Sequence, residues 1–266
     1  MKYKSGDVQR ILGIPVETLR FFENKGLITP QRDINNNYRY FDTLDLNKII
    51  AYKLYRSFEF SLEDSVHMVR CDNDTSLDML NKQINTIESK FQYYQNLYER
   101  IQDVKKSFEH TKHLIGTYEI KERPELLLYD NQVNDQFEKD EKRIQTTKNW
   151  LEYLPFIHIA IHISKDTMVS NDDVHFGYAL ETKYQNVVQA VKNDLSEVYP
   201  SKKCIHTIVQ STNKNPLSTK TFAPIIDEMI KKGQTLEGDI IGWIINEEDL
   251  GDEKVRYFEC WIPYID

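Results

Sequence analysis

The sequence predicts an α+β protein in three parts. Residues 1–75 form a winged helix-turn-helix, residues 76–117 a long coiled-coil helix, and residues 122–266 an α+β domain of two β-α-β-β units. Three observations predict this. Two short amphipathic stretches meet at Gly13 and lead to the basic-aromatic tip Asn35-Asn36-Asn37-Tyr38-Arg39-Tyr40. Apolar residues then alternate at intervals of three and four from Leu77 to Ile101. Beyond Pro124 the same order of strand and helix patterns occurs twice.

In the head, Ser5 is placed to cap a helix whose Val8, Ile11 and Leu12 share a face. Gly13 permits a sharp turn, and Pro15 suits the opening of a second helix. Leu19 and Phe22 face the first helix, Thr18, Arg20 and Phe21 lie on other faces, and Gly26 ends the element. The second helix of such a pair enters the major groove, where arginine bonds guanine bidentately. Thr18, Arg20 and Phe21 are therefore candidate DNA contacts. Leu27 to Phe41 reads as a β-hairpin wing, with Arg39 beside phosphates and Tyr38 and Tyr40 along the sugar edge. Asp42-x-x-Asp45 is a capping-box pattern opening a helix with Leu46, Ile49, Ile50 and Leu54 inward, and Ser61-x-x-Asp64 caps another.

Charge supports the same division. The whole chain carries a formal −8, yet residues 1–41 hold seven Lys/Arg against four Asp/Glu, while residues 71–266 hold 23 against 33. Local charge decides phosphate contact, because salt screens exposed charges beyond roughly 8–10 Å.

Leu77, Leu80, Ile84, Ile87, Phe91, Tyr94, Tyr98 and Ile101 form an a/d seam held for more than three heptads. Val104 and Phe108 follow out of register, and Gly116 can end the helix. Such a rod buries its stripe against something equally long: a second copy, or the C-terminal half of its own chain.

Glu122-Arg123-Pro124 breaks the helical pattern. The first unit then reads as a strand near 125–130, a helix near 136–151, and strands near 156–164 and 174–182. The second reads as a strand near 204–210, a helix near 218–231, and strands near 238–246 and 255–263. The duplication suggests two sheets facing one another about a pseudo-twofold axis. Between the units, Val187, Val188, Val191 and Leu195 allow a helix within 183–201.

The order helix-turn-helix, wing, paired helices, long helix resembles the MerR family of transcription regulators. The residues that carry the resemblance run from Gly13-Ile14-Pro15 through Thr18-Leu19-Arg20-Phe21-Phe22 to Gly26-Leu27. They continue with Asn37-Tyr38-Arg39-Tyr40, Asp45-Leu46 and Phe60-Ser61-Leu62-Glu63, covering roughly residues 3–70. The resemblance implies an antiparallel coiled-coil homodimer that binds double-stranded promoter DNA, distorts it for RNA polymerase, and uses Arg56 as a further phosphate contact. The chain departs from the family in having Phe21-Phe22 for a tyrosine pair, Glu17 for a basic residue, and Asn37 and Glu59 for glycines.

The C-terminal half resembles the GyrI-like effector domain of the multidrug-sensing branch. That resemblance rests on domain order, the duplicated unit, Gly238-Asp239-x-x-x-x-Ile244 and Phe258-Glu259-Cys260-Trp261-Ile262-Pro263. It implies a small-molecule effector, apolar and often cationic, held in an aromatic cleft between the two units. Strand parity puts Ile240, Gly242 and Ile244 on one face and Trp243 on the other. Phe156, Phe176, Tyr178, Phe222 and Tyr257 complete the expected lining. Gly242 stands where the family places a glutamate facing the cation, so neutral aromatic effectors are expected beside cations, in a pocket deepened at that point.

Other chemistry finds less support. Cys71, Cys204 and Cys260 are widely spaced without a CxxC pair, which disfavours disulfide, zinc-knuckle and iron–sulfur frameworks, and no cofactor or metal is expected. No signal peptide or membrane span is read, which points to the cytoplasm and no membrane partner. His158 and His162 alternate on one strand face about 13 Å apart, too far for one ion. Metal-sensing relatives carry cysteines at the end of the dimer helix, where this chain has His113. A hydrolase-like enzyme would use Glu181, Glu247 or Glu259 with a nearby tyrosine as general acid or base, but no nucleophile–base spacing accompanies them. A ligand-independent DNA organiser would not need so large a second domain.

Overall fold

Gly13 turns the chain between the first two helices at a φ of 66°, which a residue without a Cβ adopts freely. The computed structural model describes residues 2–34, 36–134, 136–166, 168, 173–188 and 192–266, and separates into two units, Met1–Phe91 and Gln92–Asp266. In the first, strand β1 (Tyr3–Lys4) runs into helix α1 (Ser5–Leu12), followed by α2 (Val16–Asn24). Ser5 is the first helical residue rather than the cap. β1 pairs with the wing and holds Lys4 extended, so Lys4 takes the cap position and Asp7 accepts its backbone N–H at 3.0 Å.

The wing consists of β2 (Gln31–Arg32) and β3 (Arg39–Phe41) in a three-stranded sheet of order β1-β3-β2. Asn37 takes the positive φ (55°) required at its tip; Asn35 lies outside the described residues. Helix α3 (Thr43–Ser57) opens with the expected Asp42/Asp45 capping box, and buried Asp45 also accepts the Thr29 N–H at 3.2 Å, fastening the start of the wing. Ser61 caps α4 (Leu62–Met68). The head core is Val8, Leu19, Phe22, Leu27, Ile28, Phe41, Leu46 and Ile49, each large side chain contributing about 1.5–3 kcal/mol by burial. Ile50 and Leu54 are exposed, contrary to the expectation from periodicity. Tyr52 is buried instead, edge-on to Phe22 at 4.7 Å, so the inward face of α3 is turned toward Tyr52 and away from Ile50 and Leu54.

Helix α5 (Asn73–Leu114) spans 42 residues, about 63 Å at ~1.5 Å per residue, and Gly116 follows at a φ of 74°. Leu77, Ile84, Ile87, Phe91, Tyr94, Tyr98 and Ile101 are 40–69% exposed, and Leu80 is half-buried. Within the second unit, α5 packs through a different face. Tyr93 meets Phe156 edge-on, Leu97 joins the adjoining core, and Arg100 donates to the carbonyls of Pro155 and Ile157. Among the described residues, packing within each unit leaves most of the heptad seam exposed.

The second unit is built on one continuous ten-stranded sheet rather than two facing sheets. Its strands are β4 (Tyr118–Arg123), β5 (Leu126–Val133), β6 (Gln136–Phe137), β7 (Ile157–Ile163), β8 (His175–Glu181), β9 (Ser196–Tyr199), β10 (Lys202–Thr212), β11 (Thr235–Leu236), β12 (Ile240–Asp249) and β13 (Lys254–Ile265). The path runs β4-β10-β13-β12-β7-β8-β5-β6. The two repeats are thus β5-β8-β7 and β12-β13-β10, joined edge to edge by the antiparallel pair β7·β12, where Ala160 faces Trp243 and Ile161 faces Gly242. Hydrogen-bonding these two edge strands together satisfies both. Helices α6 (Glu141–Leu151) and α8 (Ala223–Lys231) belong to the first and second repeat respectively. Trp150 of α6 and Met229 of α8 insert among residues of one sheet face, including Tyr129, Ile157, Leu180, Ile161 and Phe258. Strand β4 begins at Tyr118, so the sheet reaches α5 where the sequence suggests a linker to residue 122. Between the repeats lie a 3-10 turn at Thr182–Tyr184, the short helix α7 (Gln185–Val188) and β9; Val191 lies outside the described residues.

Candidate DNA interface and effector groove

In the head, α2 leaves Arg20 exposed and Thr18 and Phe21 half-buried beside it. Tyr38 is exposed at the wing tip, and Arg39 and Tyr40 are half-buried on β3. Glu23, which no sequence pattern singles out, connects these parts. It accepts from Arg39 Nε at 2.7 Å and from Arg32 Nη2 at 2.6 Å. Burial raises its pKa, but the two guanidinium hydrogen bonds outweigh that effect and hold the carboxyl below its usual range. With Nε committed to Glu23, any phosphate contact by Arg39 falls to its terminal amino groups. Arg56 donates to the Phe60 carbonyl, bracing the turn in which Glu59 takes a φ of 66°. That hydrogen bond engages one guanidinium nitrogen of Arg56, Nη1.

The sheet face bearing α6 and α8 opens into a groove of about 300 Å³. Phe176, Tyr178, Ile159, Ile161, Ile244 and Phe258 supply its apolar walls, with Glu247 and Arg256 paired beside them at 2.5 Å. An adjoining cavity of about 350 Å³ shares Phe176, Arg256 and Phe258. Three residues expected in the cleft, Phe176, Tyr178 and Ile244, line this groove. Five do not. Phe156, Phe222 and Ile240 are fully buried packing residues: Phe156 just before β7, Phe222 at the cap of α8, and Ile240 at the start of β12. Tyr257 sends its hydroxyl to Glu248, and its neighbour Phe258 faces the groove instead. At Gly242 a Cβ would stand 2.6 Å from the Glu259 carbonyl oxygen and 2.8 Å from Cys260 Sγ. That glycine admits the neighbouring strand β13 and leaves no deeper pocket.

The opposite sheet face carries two buried histidine–carboxylate pairs. His158 Nε2 meets Glu181 at 3.0 Å, and His206 Nε2 meets Glu259 at 2.7 Å. Burial raises the pKa of both glutamates. Hydrogen bonds from His206 and Ser107 to Glu259, and from His158 with the nearby Lys183 charge to Glu181, reverse that and lower each to about 2. Both carboxylates are thus held ionised by their partners, and Glu247 is tied to Arg256. Further along β7, His162 lies between Asp130 (2.7 Å) and Asp239 (3.3 Å). Burial lowers its pKa, but the two carboxylates lift it to about 9.

A helix-turn-helix with a wing fastened to its second helix defines a DNA-binding regulator. Residues 3–70 match the model of the MerR HTH family regulatory protein. The HTH-type transcriptional regulator CueR of Escherichia coli O6:H1 is 31% identical over 93 residues, which is 35% of this chain and 69% of that protein. The HTH-type transcriptional regulator ZntR homolog of Haemophilus influenzae is 29% identical over 70 residues, 26% of this chain and 52% of that protein. Among solved structures, the EcmrR–DNA complex is 15% identical, with 98% of this chain and 99% of that one covered at a TM-score of 0.39. The chain belongs to the MerR family of transcription regulators. Among the described residues, no helix is long and apolar enough to cross a membrane.

Proposed function

We propose that the chain works as a cytoplasmic homodimer that binds a near-palindromic promoter, bends and untwists it for RNA polymerase, and responds to a small apolar effector. The observation that carries this reading is α5. One of its faces packs on its own sheet and another, at heptad spacing, is left for an antiparallel twin. DNA deformation costs several kcal/mol, so head contacts to phosphate would hold the bend.

The effector reading rests on the 300 Å³ groove and the GyrI-like resemblance of the surrounding repeats. Its one acid, Glu247, is neutralised by Arg256, and Gly242 offers no carboxylate. That balance favours neutral or weakly polar aromatic molecules over quaternary cations. Trp150 stacks on Tyr178 with ring centroids 6.3 Å apart and reports on the groove, whereas Trp243 lies on the other sheet face. Titrating full-length protein and Tyr178→Ala with a panel of neutral and cationic aromatics should quench tryptophan emission, with neutral ligands preferred and at least tenfold weaker binding to the variant. Equal affinities for wild type and variant would remove the groove as the effector site.

A further inference from the structure

The sheet face turned away from α6 and α8 carries a cluster used by neither the DNA interface nor the groove. We propose that His110, His206 and Glu259 form a zinc site that fastens the end of α5 to β10 and β13. One ligand atom from each lies within 4.8 Å of the others. His206 is fully buried, and Glu259 nearly so.

The hydrogen bonding around His206 asks for a cation. Its Nδ1 faces Glu119 Oε1 at 2.9 Å and its Nε2 faces Glu259 Oε1 at 2.7 Å. Facing two carboxylate oxygens, the ring either carries both N–H groups or, when it donates only Nδ1–H to Glu119, turns its Nε2 lone pair toward Glu259, which needs a positive centre between them. A proton would serve those two atoms. It would not serve the third, His110 Nδ1, which is buried without a hydrogen-bond partner and stands 3.8 Å from the same Glu259 oxygen. A metal ion satisfies all three.

The donor set selects the metal. Two imidazoles and one carboxylate suit zinc, with bonds of roughly 2.0–2.2 Å and a fourth position for water. Bonds of that length put neighbouring ligands roughly 3.3 Å apart, so small side-chain rotations bring the three atoms to the required spacing. Glu119 would hold the His206 tautomer from behind, as carboxylates do for ligating histidines. The other oxygen of Glu259 is oriented by Ser107 at 2.5 Å and Trp243 Nε1 at 3.1 Å. Beside the cluster lies a polar cavity of about 270 Å³ that admits solvent to the open position. His110 comes from α5 and the other two ligands from the sheet, so binding would couple the dimer helix to the effector unit.

The test uses the full-length protein, stripped with chelator and titrated with zinc chloride by calorimetry, with zinc content measured after gel filtration. One zinc per chain is expected, with a cobalt substitute giving a tetrahedral visible spectrum. His110→Ala removes a half-exposed side chain and spares the core; it should weaken zinc binding at least tenfold while circular dichroism and operator binding stay unchanged. Glu119→Gln should weaken it roughly 10–100-fold. His113→Ala, exposed on the same helix turn, should bind as wild type does. Absence of stoichiometric zinc, or His110→Ala binding as tightly as wild type, would overturn the site and leave His206 bridged by protons alone. Operator binding measured on the same preparations distinguishes failure of the zinc site from failure of the regulatory role.

Discussion

Arg39 on the wing donates to Glu23 on the second helix at 2.7 Å, and this ion pair joins the two parts of the head that would meet DNA. Glu23 also holds Arg32, so one carboxylate sets the position of both wing strands. Its folded-state pKa is lowered, so its contribution to stability is present above the unfolded value and lost as pH falls through the folded one. Thermal melts of wild type and Glu23→Gln should therefore differ at neutral pH and converge in acid. Parallel curves across that range would show that the pair adds nothing to the fold.

Arg39→Ala should weaken DNA binding for all sequences alike and reduce the slope of log affinity against log salt by about one. Arg20→Ala should instead change sequence preference, since Arg20 stands exposed on the helix that would enter the major groove. Fluorescence anisotropy on matched and mismatched duplexes at several salt concentrations separates the two effects. An unaltered slope removes Arg39 from phosphate, and an unaltered preference removes Arg20 from the groove.

Gly242→Ala should destabilise the protein by roughly 1–3 kcal/mol, because the added methyl meets the Glu259 carbonyl and Cys260 Sγ with no room to retreat. Urea unfolding measures this directly. A neutral result would mean that β13 can move aside and that a larger residue could face the effector.

His162 supplies a pH-dependent contribution of opposite sign to that of Glu23. Its pKa rises to about 9 when folded, so its stabilisation is complete below the unfolded value near 6.5 and disappears as pH climbs through 9. At most it is worth roughly 3 kcal/mol. His162→Gln should flatten stability between those limits while Asp130 and Asp239 remain in place. A slope equal to that of wild type would assign the dependence elsewhere.

Much of the architecture is legible in the residues. Gly13 and Gly26 punctuate the head, the Asp42/Asp45 box starts α3, the spacing from Leu77 to Ile101 marks α5, and the repeated strand order marks both β-α-β-β units. The features that are not legible have physical reasons. Period-2 patterns say which face a side chain takes but not which strand edges join, so one sheet looks like two. β4 is hidden because Tyr118-Glu119-Ile120-Lys121 at a sheet edge is mostly polar. Phe156 and Phe222 look like cleft residues because an aromatic side chain serves a core and a ligand equally well. Glu23, His206 and Glu259 depend on partners 9 to 152 residues away, which no local pattern records.

We infer that the exposed seam of α5 makes the dimer that binds the promoter. Sedimentation velocity of full-length protein with a labelled operator duplex tests it, comparing wild type with the double variant Ile84→Asp, Ile87→Asp. Charges placed in an apolar interface are strongly unfavourable unless paired. Wild type should sediment as a dimer and place two chains on one duplex, while the variant sediments as a folded monomer with no stable complex. A variant that remains dimeric and binds the operator as tightly as wild type would place the dimer interface away from this seam.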